Sequence, residues 1–206
     1  FADASQIPTV MISRFAREHV SVVLSGDGGD EMLGGYNRHR IVPGLLARLG
    51  YLPMPLRRML GKLIMRMPPD AWDRLYPGHN SFGARLHKLA GLMDCPDLDA
   101  MYNRLTAVWP DPAAVVAGAR ALTPPVDDPA WQPNGLSPGE QLMYKDAMSY
   151  LPGDILTKVD RASMAVSLEA RAPLLDYLIY EFVWSLPENM RICRGESKWL
   201  LRNYLR

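Results

Sequence analysis

Only two cysteines, Cys95 and Cys193, occur in 206 residues, and they form neither a CxxC pair nor a cluster with histidine. That excludes a disulfide framework and a cysteine-based zinc site, and it fits a reducing cytoplasm. The four histidines, His19, His39, His79 and His87, show no HExxH and no metal-ligand spacing. Neither sign of charge is in excess: 23 Lys and Arg face 22 Asp and Glu, so no bulk field draws the chain to nucleic acid or to an anionic membrane. No apolar run approaches the ~20 residues of a membrane span. There is no Gly-Lys-Ser/Thr after a glycine-rich loop, which removes a Walker A phosphate site, and no internal repeat.

What is present is an ordinary globular composition, with 48% hydrophobic and 22% charged residues. A chain of this length makes one domain, or one domain with an embellishment, and buries roughly 70% of its unfolded surface without staples. Phe1 is not an initiator Met, residues 1–5 have no signal-peptide character, and the chain ends inside an amphipathic helical pattern, Glu196 to Arg206. These ends lead us to expect a piece of a longer protein.

Asp3 and Ser5 are candidate N-caps, and Val10, Ile12, Phe15 and Ala16 fit a short helix over 10–17. Ser21-Val22-Val23-Leu24-Ser25, apolar on both faces and stopped by glycine, predicts a buried parallel strand. Residues 41–140 read as a helical and Pro-rich insertion. Within it, 44–50 is a short helical piece, and 53–69 an amphipathic helix with Leu56, Met59, Leu60, Leu63, Ile64 and Met67 inward. Arg57, Arg58, Lys62 and Arg66 would then form a solvated basic face, although such a helix also suits a membrane surface or a partner groove. Residues 80–110 read as helical, with Phe82, Leu86, Leu89 and Met93 on one face. Seven prolines between Ala107 and Pro138 (110, 112, 124, 125, 129, 133 and 138) predict a mobile loop or a string of short helices. From Gly139 onward helices dominate: one ended by Pro152, one capped by Asp154 and running to about Glu169, and one capped by Asp176 over 177–186 with Ile179, Phe182, Val183 and Leu186 buried.

The loop Ser25-Gly26-Asp27-Gly28-Gly29-Asp30-Glu31 follows the strand, and ligands of open α/β sheets sit beyond the carboxyl ends of strands. Gly26, Gly28 and Gly29 permit positive φ, so successive N–H groups can converge on an anion. Carboxylates at Asp27, Asp30 and Glu31 beside such a backbone make sense with a divalent cation between, and Mg²⁺ prefers one or two carboxylates plus phosphate oxygens. The loop is neither GxGxxG, since Glu31 replaces the third glycine, nor an EF-hand loop. The plainer reading, a tight Gly/Asp turn capping the next helix, stays open on the residues alone.

The run 25–31, continued by Gly34-Gly35-Tyr36, resembles an ATP-site motif of the asparagine synthetase family. So do Asp3-Ala4-Ser5-Gln6-Ile7-Pro8-Thr9, the run Leu151 to Arg161, Ser167-Leu168-Glu169-Ala170-Arg171-Ala172-Pro173-Leu174-Leu175-Asp176, and Gly195-Glu196-Ser197-Lys198. They stand in family order over nearly the whole chain, with 41–140 least diagnostic. The resemblance implies an adenine nucleotide alpha hydrolase-like α/β fold, here mostly helical around one central parallel strand near 21–25. It implies ATP and Mg²⁺ as cofactors, adenylation of a carboxylate, normally the aspartate side chain, and displacement of AMP by ammonia from a glutaminase domain.

Carried over by position, Ser25, Gly26, Gly28 and Gly29 would bind the nucleotide and Asp30 the metal. Asp27 would be the acid near the reacting amine, where related β-lactam synthetases carry Tyr. Lys158 and Arg161 would meet anionic groups, or else pair with Asp154 and nearby acids. Asp160 would face away from Lys158. Glu169 and Arg171 would be a bracing pair. The family's Ser-Gly-Gly-x-Asp-Ser pyrophosphate loop, its glutaminase and its catalytic lysine segment do not occur here, so the expectation is half a site with weak ATP binding. Two alternatives remain: amidation of a different carboxylate, and a non-catalytic helical interaction module on a vestigial nucleotide fold. Oligomeric state is unreadable, which leaves a homo-oligomer open.

Overall fold

The computed structural model describes residues 3–76, 81–109, 114–119 and 125–206. Two compact units emerge, Phe1–Arg40 together with Asp128–Arg206, and Ile41–Asp127. Helices dominate, and the described strands are short.

The first unit opens with α1 (Gln6–Arg17). The Asp3 carboxylate accepts the Ser5 N–H at 2.9 Å and the Ser5 hydroxyl, and the Thr9 hydroxyl donates to the Ser5 carbonyl at 2.7 Å. These bonds start the helix four residues before the expected Val10. Pro8 lies in the first turn, where its missing N–H costs nothing. Strand β1 (Val22–Leu24) follows, then α2 (Gly29–Met32) and α3 (Asn37–Leu49), which carries Pro43 and runs into the second unit.

The second unit contains α4 (Met54–Met65), α5 (Pro69–Leu75), α6 (Phe82–Leu92) and α7 (Leu98–Thr106). The expected 80–110 helix is therefore two helices, separated at Cys95-Pro96-Asp97, with the Asp97 carboxylate accepting the Ala100 N–H at 2.8 Å. Helices α4 and α6 approach closely at Gly61, where a Cβ would lie 3.1 Å from the Ala90 carbonyl oxygen. The expected orientation of α4 is not observed: Leu56, Met59 and Leu63 are exposed, while Arg57 is 4% exposed. Its guanidinium donates to the Met93 carbonyl at 3.2 Å and to that of Cys95, satisfying groups past the end of α6. Carbonyls left open in a packed interior would cost about 1–3 kcal/mol each, and the inward arginine satisfies both.

Of the proline-rich stretch, Pro110, Pro112 and Pro124 lie outside the described residues, as does His79. The described part includes short 3₁₀ turns at Pro125–Asp127 and Pro129–Trp131. The first unit resumes with α8 (Pro138–Lys145), opened by a Ser137–Glu140 capping box. It passes into a π-helix (Asp146–Leu156) and then directly into α9 (Thr157–Met164). The expected break at Pro152 and cap at Asp154 are absent. A proline ring strikes the carbonyl four residues back in α geometry, and the wider π turn relieves that contact.

After α9 the chain forms β2 (Glu169–Arg171), which replaces the expected helix end. It pairs in parallel with β1 in the register Val22 with Glu169, Val23 with Ala170 and Leu24 with Arg171. The strand near 21–25 is therefore real but has a partner, and it is not buried on both faces: Leu24 is 75% exposed. Next come α10 (Tyr177–Ser185), capped as expected by Asp176, and α11 (Glu188–Arg191). The hairpin β3 (Ile192–Cys193) and β4 (Glu196–Ser197) then leads to α12 (Trp199–Tyr204). In α10 only Val183 of the predicted stripe is buried, packed with Met32 and Leu33 and flanked by Leu174, Tyr180 and Leu201. That cluster anchors the residues just after the glycine-rich loop. No described helix is long and apolar enough to cross a membrane.

Candidate functional site

The parallel pair sets the position of the loop. The Ser25 N–H donates to the Arg171 carbonyl at 2.8 Å, extending the ladder one residue past β1 before the chain turns away. Of the three loop glycines expected to reach positive φ, only Gly28 does, at 89°. A Cβ there would also strike the Leu175 side chain. Gly26 faces open space, with nothing within 4 Å of where a Cβ would stand.

Ser25 and Asp27 open onto a cleft of about 330 Å³ shared with Leu156 at the end of the π-helix, with the α9 residues Val159, Asp160 and Ser163, and with Glu169. The helical spacing of those four positions explains which side chains reach it. Asp160 is on the cleft face, while Lys158 points elsewhere: its Nζ donates to Asp3 Oδ2 at 3.0 Å and to Ser5 Oγ at 2.8 Å, tying α9 to the start of α1. The two Ser5 hydrogen bonds, with Lys158 beside them, hold the Asp3 carboxyl down at about 2. Arg161 is exposed and its side chain makes no hydrogen bond or ion pair among the described residues. Glu169 and Arg171 do pair, at 2.8 Å, with both side chains well exposed, so the Glu169 carboxylate at the cleft has a cation beside it. The cleft thus gathers Asp27, Asp160 and Glu169, with no Lys or Arg among the described residues that line it.

Asp30 belongs to a different group of side chains. Its Oδ1 lies 2.9 Å from the Nζ of Lys198, and Gly35 packs against both residues. The β3–β4 hairpin delivers Lys198: Arg194 and Gly195 take positive φ at its turn, and the Lys198 N–H donates to the Leu33 carbonyl at 2.9 Å. Lys198 itself sits at φ 53°, strained for a non-glycine residue. Gly35 and Lys198 were visible in the sequence only as members of glycine motifs. Their partnership with Asp30 spans 168 positions in the case of Lys198, and no local signal announces it.

Glu31, read from the sequence as a third loop carboxylate, is 1% exposed and turned away from the cleft. Tyr36 Oη donates to Glu31 Oε1 at 2.7 Å, and burial raises the acid above its usual range. The Tyr36 ring meets the Arg38 guanidinium, which also lies over Tyr150 and grips Asp146 through two bonds at 2.7 and 2.8 Å. His39 Nε2 is 2.5 Å from the same carboxylate. This polar brace joins the segment after the loop to the π-helix.

Among the described residues no group of three His, Cys, Asp or Glu side chains is gathered to hold a metal ion. Asp30 offers one carboxylate with a lysine beside it. That arrangement suits a cation arriving with phosphate oxygens, and it does not suit one held by the protein alone.

The sequence profile of the family described as asparagine synthase matches residues 1–206. A putative glutamine-hydrolysing asparagine synthetase of Mycobacterium bovis is 33% identical over 99% of the chain, and one of Mycobacterium tuberculosis is equally similar. Asparagine synthetase 1 of Bacillus subtilis is 28% identical over 98% of it. The chain spans 30% of the length of each of these relatives. No solved structure matches it. On the match along its whole length, and on relatives 33% identical over 99% of it, the chain belongs to the asparagine synthase family.

Proposed function

We propose that this chain forms one wall of an ATP-dependent amide-forming centre, in which a carboxylate, that of aspartate first among candidates, is adenylated and then attacked by ammonia. The observation that carries the reading is the parallel β1–β2 pair, which sets Ser25 and Asp27 on one cleft with Asp160. Open space at Gly26 lets a nucleotide approach backbone N–H groups there, with Ser25, Gly28 and Gly29 shaping the same turn. Asp27 and Asp160, with no Lys or Arg among the described residues lining their cleft, favour a nitrogen nucleophile there over a bare anion, which suits Asp27 as the acid beside the incoming amine. Asp30 would hold Mg²⁺, which when bound supplies charge neutralisation for the departing pyrophosphate. Lys198, adjacent to Asp30, stands ready to bond the same phosphates. Arg161, unpaired and exposed, remains free to reach an anion, whereas Lys158 must first leave Asp3. Asp160 joins the set on geometry.

The test is Mg-ATP-dependent pyrophosphate release by the protein that carries this chain, over a panel of carboxylic acids with aspartate included. Asp30→Asn should abolish release while leaving the thermal midpoint nearly unchanged. Unchanged release in that variant would remove the metal assignment, and release with another acid but not aspartate would move the substrate. The exposed basic and apolar faces of the second unit give the non-catalytic reading no claim on the cleft itself.

A further inference from the structure

The second unit carries a charge pattern that the amidation chemistry does not use. Residues 41–127 hold ten Lys and Arg, seven Asp and no Glu. A cavity of about 370 Å³ lies along α4 and α6, lined among others by Arg58, Lys62, Asp94 and Arg104. A second, of about 250 Å³, shares Met65, Gly91 and Arg104 with it and adds Lys88 and Leu105. The two form one trough with a floor of glycine, methionine and leucine. Its depth comes from the small residues Gly61, Ala90 and Gly91, which let the two helices approach closely.

Four cations line this trough against a single acid. Arg58 spends one bond on Asp94, at 2.5 Å, and both side chains are well exposed. Lys62, Lys88 and Arg104 are exposed, and their side chains make no ion pair or hydrogen bond among the described residues. The carbonyls past the end of α6, which would otherwise attract them, are already taken by Arg57. Three of the four cationic heads therefore lack a counter-charge among the described residues, and they flank apolar surface on which a chain can lie.

We propose that this trough is a docking groove for an acidic peptide segment of a partner protein, its carboxylates meeting Arg58, Lys62, Lys88 and Arg104 and its apolar side chains resting on Met65 and Leu105. Charge complementarity selects the occupant. An extended trough with cations spread over three helices suits a chain with repeated carboxylates better than a compact anion. The lining holds no Phe, Tyr or Trp on which bases would stack, which disfavours single-stranded nucleic acid.

The experiment is a fluorescence-anisotropy titration of the chain with a fluorescein-labelled peptide of alternating glutamate and leucine. The wild type binds, and binding weakens with added salt. The double variant Lys62→Gln/Arg104→Gln binds about tenfold more weakly, and Arg14→Gln in α1 binds as the wild type does. If the double variant fails to fold by circular dichroism, exposed Lys62→Gln alone carries the test, with an expected loss of about threefold. Equal affinity in the trough variants, or no binding by the wild type at millimolar peptide, overturns the proposal. So does displacement of the peptide by a lower concentration of single-stranded oligonucleotide, which would assign the trough to nucleic acid instead.

Discussion

The Nζ of Lys198 lies 2.9 Å from Oδ1 of Asp30, and Gly35 leaves no room for a side chain beside them. An added Cβ at Gly35 would take the place of the carboxylate oxygen and stand 2.6 Å from Lys198 Cε. The pair is partly exposed, so its own contribution to stability is about 0.2–1 kcal/mol. Lys198→Met should therefore move the thermal midpoint by no more than about 4 °C. Gly35→Ala must displace Asp30, and should lower Mg-ATP-dependent pyrophosphate release by more than about tenfold, or ~1.4 kcal/mol. Calorimetry and a release assay on both variants separate the two effects. Full release in Gly35→Ala would show that the position of Asp30 does not matter.

Within the loop, two glycines two residues apart should answer differently to alanine. Gly28 is held at φ 89°, where an L side chain costs roughly 1–2 kcal/mol, and its new Cβ would also push Leu175, a wall of the cleft. Gly26 has neither constraint. Gly28→Ala should lower the thermal midpoint by several degrees and Gly26→Ala should leave it in place. A Gly26→Ala variant that is stable yet weaker in nucleotide affinity would support backbone approach at that residue. Equal midpoints for both would sink the conformational argument.

The two acids with shifted pKa values should give pH dependences of opposite sign. Asp3 falls from 3.8 to about 2 in the folded chain, so its contribution is present above 3.8 and is lost as pH falls towards 2. Asp3→Asn should thus be less stable than wild type at neutral pH, with the gap closing as pH approaches 2. Glu31 is raised above 4.5 by burial, so the folded chain favours its neutral form and the associated stability is lost as pH rises. Glu31→Gln keeps an acceptor for Tyr36 Oη, and its advantage over wild type should widen as pH climbs past 4.5. Thermal melts across pH check both, and a Glu31→Gln gap independent of pH would contradict the burial argument.

How much of this was legible depends on the distance over which each feature is specified. The β1 strand announces itself through consecutive β-branched residues and a glycine stop, and Asp176 through the local pattern of a cap. The capping box at Ser137 and Glu140 follows the Ser-x-x-Glu rule and was open to reading. Strand β2, Glu-Ala-Arg, has no strand composition: its conformation is imposed by the register against β1. Glu31 looked like a cleft carboxylate because of its neighbours, but α2 is too short for a periodicity that would reveal its inward face. Lys158 was assigned by family position, and only the fold brings it to Asp3.

The same lesson gives a direct test in α4, where adjacent arginines play opposite parts. Arg57 is buried and bonds the Met93 and Cys95 carbonyls, whereas Arg58 is largely exposed on its pair with Asp94. Arg57→Met leaves those carbonyls unsatisfied and should cost about 1–3 kcal/mol. An exposed ion pair such as Arg58–Asp94 contributes about 0.2–1 kcal/mol, so Arg58→Met should cost less. Were α4 oriented as its hydrophobic pattern suggests, with all four basic residues in solvent, the two substitutions would be equally mild. Denaturant melts of the two variants decide between those orientations, and equal midpoints would return Arg57 to the surface.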